Sequence, residues 1–392
     1  MPSDEWASLA ASQGNGADRK PSTGDTTVTA RILHLIPAID RSGTAKQLAL
    51  LARGLAKAGF DVHVCALAPA MPAGGAFSAA DIRPTILEKR WTLDVRAFWE
   101  LKRLIDRLQP DVIHAWRCTA NAYGLAATIG GGLRHFVAGY RCLAPVQSTL
   151  RLRIDREIGR RAAGLVANSR AVKELYVQNG LPEEKFRVIA NAVEIPSPPM
   201  FTRRQILDEL ELPPDSRLVG LVGPLLPQKQ VKDAIWAADL LKVVRNDVHL
   251  LIFGEGPHRD RLRKFRDQVR IGDRVHFLGF RREIERFYPH FDLLWCTSAY
   301  EGQSNAILEA MAAGIPVVAG DIPSTRDMVT HNETGLLVQI GDRAGFAREA
   351  HRLLEDGNLA RRLGLAGRER VRQEFTAEKM VANYVEMYDR FL

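Results

Sequence analysis

From Ala30 onward, short apolar runs alternate with stretches in which apolar residues recur every three or four positions. Runs of the first kind read as buried parallel strands and the others as helices that cover them, so the pattern predicts an α/β chain. The first strand is Arg31-Ile32-Leu33-His34-Leu35-Ile36-Pro37. A helix is expected over 45–58, where Leu48, Leu51, Ala52 and Leu55 share a face and Gly59 offers a left-handed cap. Strands at 61–67, 111–116, 136–140, 164–168 and 186–190 complete a doubly wound half.

The prolines of Ile195-Pro196-Ser197-Pro198-Pro199 forbid helix and central strand, which marks a linker. After it the alternation resumes, with strands at 218–222, 248–253, 275–278, 293–296, 316–319 and 335–338 and helices at 231–243 and 305–313. The expected organisation is a disordered tail (1–28), a Rossmann-like half (29–195), a second such half (200–374) and a final helix (375–392). That last stretch carries Met380, Val381, Tyr384, Val385, Met387 and Tyr388 at helical spacing. Ligands of open α/β sheets sit beyond the carboxyl ends of the strands, so two facing halves define a cleft.

A length of 392 residues supports the division in two, because one core stops growing near about 250 to 300 residues. No apolar run approaches the ~18 residues that read as a membrane span. Cys65, Cys118, Cys142 and Cys296 stand singly, without zinc or disulfide spacing, which fits a reducing cytoplasm. The net charge of +8 includes Arg151, Arg153, Arg156, Arg160 and Arg161 in one short stretch. Such a patch is either a peripheral contact with anionic lipid at the inner membrane face or a solvated helix face. Nucleic acid is not expected, since no aromatic residues interleave with the cations.

Four groups of residues carry candidate chemistry. In Glu301-Gly302-Gln303-Ser304-Asn305-Ala306-Ile307-Leu308-Glu309 an apolar strand runs into a helix, whose open backbone N–H groups and positive dipole end suit a phosphate. Glu301 lies just outside that helix and Glu309 inside it. In Gly223-Pro224-Leu225-Leu226-Pro227-Gln228-Lys229, a glycine permits close approach and Lys229 sits at a helix start, where the dipole disfavours a cation unless an anion is bound. Gly43 belongs to the loop Arg41-Ser42-Gly43-Thr44, which lacks the GxGxxG of dinucleotide binding. His114 and Trp116 share one strand face and read equally as pocket lining or as a packed pair.

Together with His276-Phe277-Leu278-Gly279-Phe280, Gly254-Glu255-Gly256-Pro257, the run from Glu309 to Ala319 and Asn332-Glu333-Thr334-Gly335, these blocks resemble the retaining GT-B glycosyltransferases of the family-four type. The resemblance runs from about Ala30 to the C-terminus. It implies that Glu301 contacts a donor sugar, that the amides of Gly302, Ser304, Asn305 and Ala306 hold a diphosphate, and that Glu309 bonds a ribose. It implies further that Lys229 pairs with the diphosphate, that the loop at Gly43 closes over it, and that Gly223, Gly254 and Phe280 belong to the donor side. His114, Trp116 and Arg141 fall on the acceptor side. A sugar would pass from a nucleoside diphosphate to a hydroxyl of a glycan or lipid with retention at the anomeric carbon, and no metal is expected.

The chain departs from that family in three places. Pro224 stands where an arginine is usual, Ser42-Gly43-Thr44-Ala45 replaces a double glycine and glutamate, and Trp116 replaces the second histidine of a His-x-His pair. Arg41, Arg117 and Arg141 are the candidates to replace the lost charge. Pro224 and Trp116 also argue for a catalytically silent sugar-nucleotide-binding or scaffold protein. A sugar-nucleotide epimerase or a phosphorylase on the same scaffold is the rival among enzymes, although nothing points to a lysine-held pyridoxal phosphate.

Overall fold

A computed structural model describes residues 29–40, 42–68, 77, 82–91, 93–129, 135–143 and 148–392. The tail expected at 1–28 and the candidate cation Arg41 lie outside the described residues. The chain forms two parallel sheets. The first joins β1 (Arg31–Ala38), β2 (Asp61–Ala68), β3 (Thr85–Ile86), β4 (Val112–Trp116), β5 (His135–Tyr140), β6 (Gly164–Ala167) and β7 (Phe186–Val188) in the order β3-β2-β1-β4-β5-β6-β7. Its helices are α1 (Gly43–Lys57), α2 (Val95–Leu108), α3 (Cys118–Thr128), α4 (Thr149–Arg161) and α5 (Arg170–Gln178).

After α6 (Arg203–Glu209) the second sheet joins β8 (Arg217–Val222), β9 (Val248–Phe253), β10 (Val275–Gly279), β11 (Leu293–Cys296), β12 (Val317–Gly320) and β13 (Leu336–Val338) in the order β10-β9-β8-β11-β12-β13. Its helices are α7 (Val231–Lys242), α8 (Arg259–Gln268), α9 (Asn305–Ala312), α10 (Pro323–Arg326), α11 (Arg343–Glu355) and α12 (Gly357–Glu374), and α13 (Ala377–Tyr388) ends the chain. Strand order reverses between β1 and β4 and again between β8 and β11. At such a switch point the connections leave to opposite faces and open a crevice beyond the strand ends.

Both faces of each sheet are covered, which is why the central strands are apolar throughout rather than alternating. Ile32, Leu33, Leu35 and Ile36 of β1 are all buried, and they divide between two cores. The core on one side takes Leu101, Leu104 and Ile105 from α2 and Val172 and Tyr176 from α5. The other combines Leu48, Leu51 and Leu55 of α1 with Met380, Tyr384, Met387 and Tyr388 of α13, so the last helix packs on the first sheet. Val193 N donates to Phe375 O at 2.9 Å and Val193 bridges Thr376, which lays the two crossings between the halves side by side.

Two local details differ from the sequence expectation. Helix α1 starts at Gly43 rather than Ala45, because the Ser42 hydroxyl accepts from Ala45 N and caps the turn. Gly43 is therefore the first helical residue and not part of a free loop. The edge strand β3 has two residues, too few for any periodicity to show.

Candidate active site

The loops after β8 and β11 meet at the second switch point, and they are bonded to each other. Ala299 N donates to Gln228 O, and the Thr297 hydroxyl donates to Lys229 O, each at 2.8 Å. The turn Pro227–Lys229 ends on Gln230 in the left-handed region (φ 49°), which tips the Lys229 side chain toward β11. There Lys229 Nζ lies 2.5 Å from Glu301 Oε1, and the Ser298 hydroxyl donates to the same oxygen at 2.6 Å. Both members of the pair are nearly buried. Burial is the largest influence on the Lys229 ammonium and pushes its pKa down, but the adjacent Glu301 carboxylate outweighs it and the net shift is upward. Lys229 is thus held as a cation at the mouth of a parallel sheet.

Gly223 lies directly beneath the lysine stem, and a Cβ there would come 3.3 Å from Lys229 Cε. Gly254 has φ +146°, and a Cβ there would sit 1.9 Å from Gly223 O, so no side chain fits where the two loops touch. Phe280 is half-exposed immediately after β10 on the same rim.

Helix α9 begins beside this pair. Ser304 is its N-cap, yet its side chain makes no capping bond, which leaves the first-turn amides without that partner. Glu301, held between Lys229 and the Ser298 hydroxyl, precedes that helix start by four residues. Among the described residues no group of three or more His, Cys, Asp or Glu is arranged to hold a metal ion.

Several candidate side chains are already engaged across the cleft. Asn305 Nδ2 donates to Gly43 O at 3.2 Å, while its Oδ1 accepts from Asn191 at 2.8 Å and Gln47 at 3.3 Å. Glu309 Oε1 pairs with Lys46 Nζ of α1 at 2.7 Å, and Glu309 Oε2 accepts from the Tyr288 hydroxyl at 2.8 Å. Lys46 also reaches Glu285 at 2.9 Å; burial disfavours its charge most, but the two carboxylates raise its pKa overall. Gly302 faces the first half: a Cβ there would lie 2.3 Å from Arg141 O, so its glycine serves close approach of the two halves.

The acceptor-side candidates are placed differently from a pocket lining. His114 and Trp116 share a face, as alternation requires, but that face is sealed by α13 and neither is exposed. His114 Nδ1 meets the Tyr388 hydroxyl at 2.7 Å, and Trp116 Nε1 donates to His34 Nδ1 at 3.1 Å. Burial holds the His34 pKa down to about 3 and that of His114 well below its usual value. Arg141 stacks on Trp116 at 4.2 Å and donates to the Tyr384 hydroxyl and Asn191 Oδ1, so it does not replace the charge lost at Pro224. Of the two remaining candidates Arg117 is described, exposed at the end of β4. Burial pushes the Cys142 thiol up, against the nearby Arg117 and Lys229 cations, so charges of both halves act on Cys142.

Lys46, Gln47, Asn191, Tyr288 and Ser298 escape a reading of the sequence. Their partners are 21 to 263 residues away or lie in an unmarked turn, and no local pattern announces such contacts.

A crevice between two doubly wound sheets, with a cation and an open helix start on one rim, defines the class: a two-domain α/β protein of the GT-B type. Comparison with known proteins bears this out. Residues 202–370 match the family described as glycosyl transferases group 1, and residues 41–195 match glycosyltransferase family 4. A lipopolysaccharide core biosynthesis glycosyltransferase of Rhizobium meliloti is 27% identical over 300 residues, 74% of this chain and 79% of that protein. N-acetyl-alpha-D-glucosaminyl L-malate synthase of Bacillus anthracis is 34% identical over 161 residues, 41% of this chain and 42% of that one. The fold of Anabaena HepE, solved in complex with UDP and glucose, superposes with a TM-score of 0.83 at 22% identity, covering 92% of this chain and 100% of that one. The chain belongs to the group 1 glycosyltransferases of the family-four type.

Proposed function

We propose that this glycosyltransferase moves a sugar from a nucleoside diphosphate to an acceptor hydroxyl with retention of anomeric configuration. The observation that carries the reading is the Lys229–Glu301 pair at the β8/β11 switch point, beside a helix start without a side-chain cap. As the glycosidic bond breaks, negative charge grows on the diphosphate, and fixed donors aimed at it lower the barrier. Lys229 and the first amides of α9 are those donors in this proposal. Glu301 then exchanges its ammonium partner for hydroxyls of the donor sugar, and Glu309 exchanges Lys46 for the ribose. Arg117 supplies the second cation that Pro224 omits. No covalent nucleophile is required if the departing phosphate accepts the proton of the incoming hydroxyl.

The HepE structures contain UDP and UDP-glucose, so UDP-sugars come first in the test. The purified protein is mixed with UDP-, GDP- and ADP-sugars while thermal shift and release of free nucleotide are followed. A selective upward shift with slow donor hydrolysis is the expected result. A shift without hydrolysis or transfer to any offered acceptor would instead favour the silent binding protein. Retention is read from the anomeric configuration of the product.

A further inference from the structure

Most large apolar side chains left on a folded surface are scattered, and scattered ones need no explanation. Two groups here are concentrated, one at Trp236, Leu240, Val243 and Val244 on the second half and a more exposed one on the first half, where Trp91, Leu93, Val95 and Trp99 are 73%, 86%, 68% and 52% exposed within nine residues. The display is held in place. Asp94 accepts from Arg90 N at 2.9 Å and caps α2 through Ala97 N, and Asp94 N donates to the Tyr123 hydroxyl at 2.7 Å. Val95 and Trp99 are one turn apart on the outer face of α2, whose opposite face is buried through Ala97, Leu101, Leu104 and Ile105. In the same helical layer, Leu150 and Ile154 of α4 are exposed one turn apart.

Cations outnumber carboxylates on both segments, although Arg90, Arg96, Arg151, Arg160 and Arg161 are each paired with one. Residues 88–107 carry six Lys and Arg against four carboxylates, and α4 carries five Arg against Asp155 and Glu157. Helices α2 and α4 each lead into a parallel strand, β4 and β6, so both begin at the carboxyl-end rim of the first sheet. Trp91, Leu93, Leu150 and Ile154 therefore flank the mouth of the cleft on the half opposite Lys229. Among the described residues no helix is long and apolar enough to cross a membrane.

We propose that this surface docks on an anionic lipid bilayer, with the tryptophans and leucines in the headgroup region and the arginines against lipid phosphates. Tryptophan favours that depth because one end of its ring system is apolar and the other wet, and each nearby arginine strengthens partition about fivefold. Docked in this way, the cleft opens at the lipid surface, where a lipid-carried acceptor enters from the first half. Docking stands independently of the donor site; its meaning for the acceptor rests on the transferase reading.

The test is sedimentation of the full chain with vesicles of phosphatidylcholine, with and without phosphatidylglycerol. The chain is expected to pellet with the anionic vesicles, less so as salt rises, and weakly with the neutral ones. The triple variant Trp91→Ser/Leu93→Ser/Trp99→Ser is expected to lose about tenfold or more in binding. The variant Arg153→Glu/Arg160→Glu is expected to lose anionic selectivity. Both should stay folded and keep the parent's donor-induced shift, since the altered side chains touch no part of the donor site and the second variant gives up only the exposed Arg160–Glu157 ion pair. Failure of the parent to bind anionic vesicles, or equal binding by the triple variant, overturns the proposal. So does a dimer that the triple variant dissociates in the absence of any vesicle binding, because the patch then belongs to a second copy. Loss of the donor shift with vesicle binding intact would instead strike the transferase reading.

Discussion

The two halves share a topology and differ at their rims. In the first, Ser42, Asp94, Ser148 and Ser169 each accept a bond from the first turn of α1, α2, α4 and α5, leaving α3, after Arg117, without a side-chain cap. In the second, the helices that follow β8, β9 and β11 have no such cap. A capped helix start satisfies its own amides and adds stability, whereas an uncapped one keeps donors for an anion. In the proposed reading the uncapped rim of the second half is the one that receives the donor, while its helices away from that rim, α6, α11 and α12, are capped by Thr202, Asp342 and Asp356.

The sharpest way to break that comparison is Lys229→Ala, which should lower transfer about a hundred- to a thousand-fold if the lysine faces a developing charge. Stability also falls, because Glu301 is left nearly buried and short of its partner. The double variant Lys229→Met/Glu301→Gln should regain stability and stay inactive, which thermal melts beside steady-state rates would show. Full activity of Lys229→Ala would sink the assignment.

Gly302→Ala tests whether the halves must meet. The new Cβ collides with the Arg141 carbonyl, so the cleft cannot close fully, and a misplacement of about 1 Å costs on the order of a hundredfold in rate. Small-angle scattering should show a wider particle with each half still folded. An unchanged profile and rate would mean that the seam is not needed.

Acid should act on the first half through its buried histidines. His34 is depressed to about 3, so between pH ~6.5 and 3 the unfolded chain binds a proton that the folded chain does not. Stability therefore falls as pH falls through that window, by up to about 1.4 kcal/mol per pH unit for one such group. His34→Asn, which still offers Trp116 an acceptor, should flatten the dependence of the thermal midpoint on pH.

The smallest effects compare the caps directly. Ser169→Ala should destabilise by about 1 kcal/mol without changing the donor shift, because its hydroxyl caps α5. Ser304→Ala removes no capping bond and should cost less in stability while weakening the donor shift. The reverse pattern would erase the distinction between the rims.

The apolar rhythm sufficed for the α/β class and for strands such as β9 and β11, because period and burial are local properties of a chain. The blocks around Lys229 and Glu301 were legible for a similar reason, since each is a strand end leading into a helix. Other pairings were not. His114 and Trp116 could be assigned a shared strand face, but their seal came from Tyr384 and Tyr388, which lie about 270 residues further on. Glu309 could be placed inside a helix, whereas its partner Lys46 belongs to the other half of the chain. Apart from the two-residue β3 and the first turn of α1, sequence determined which segments form sheets and where strands give way to helices, for those follow from spacing. Which rim is open, which histidines are sealed and which tryptophans remain outside were decided by the tertiary structure, because burial depends on what a distant segment brings to the same place.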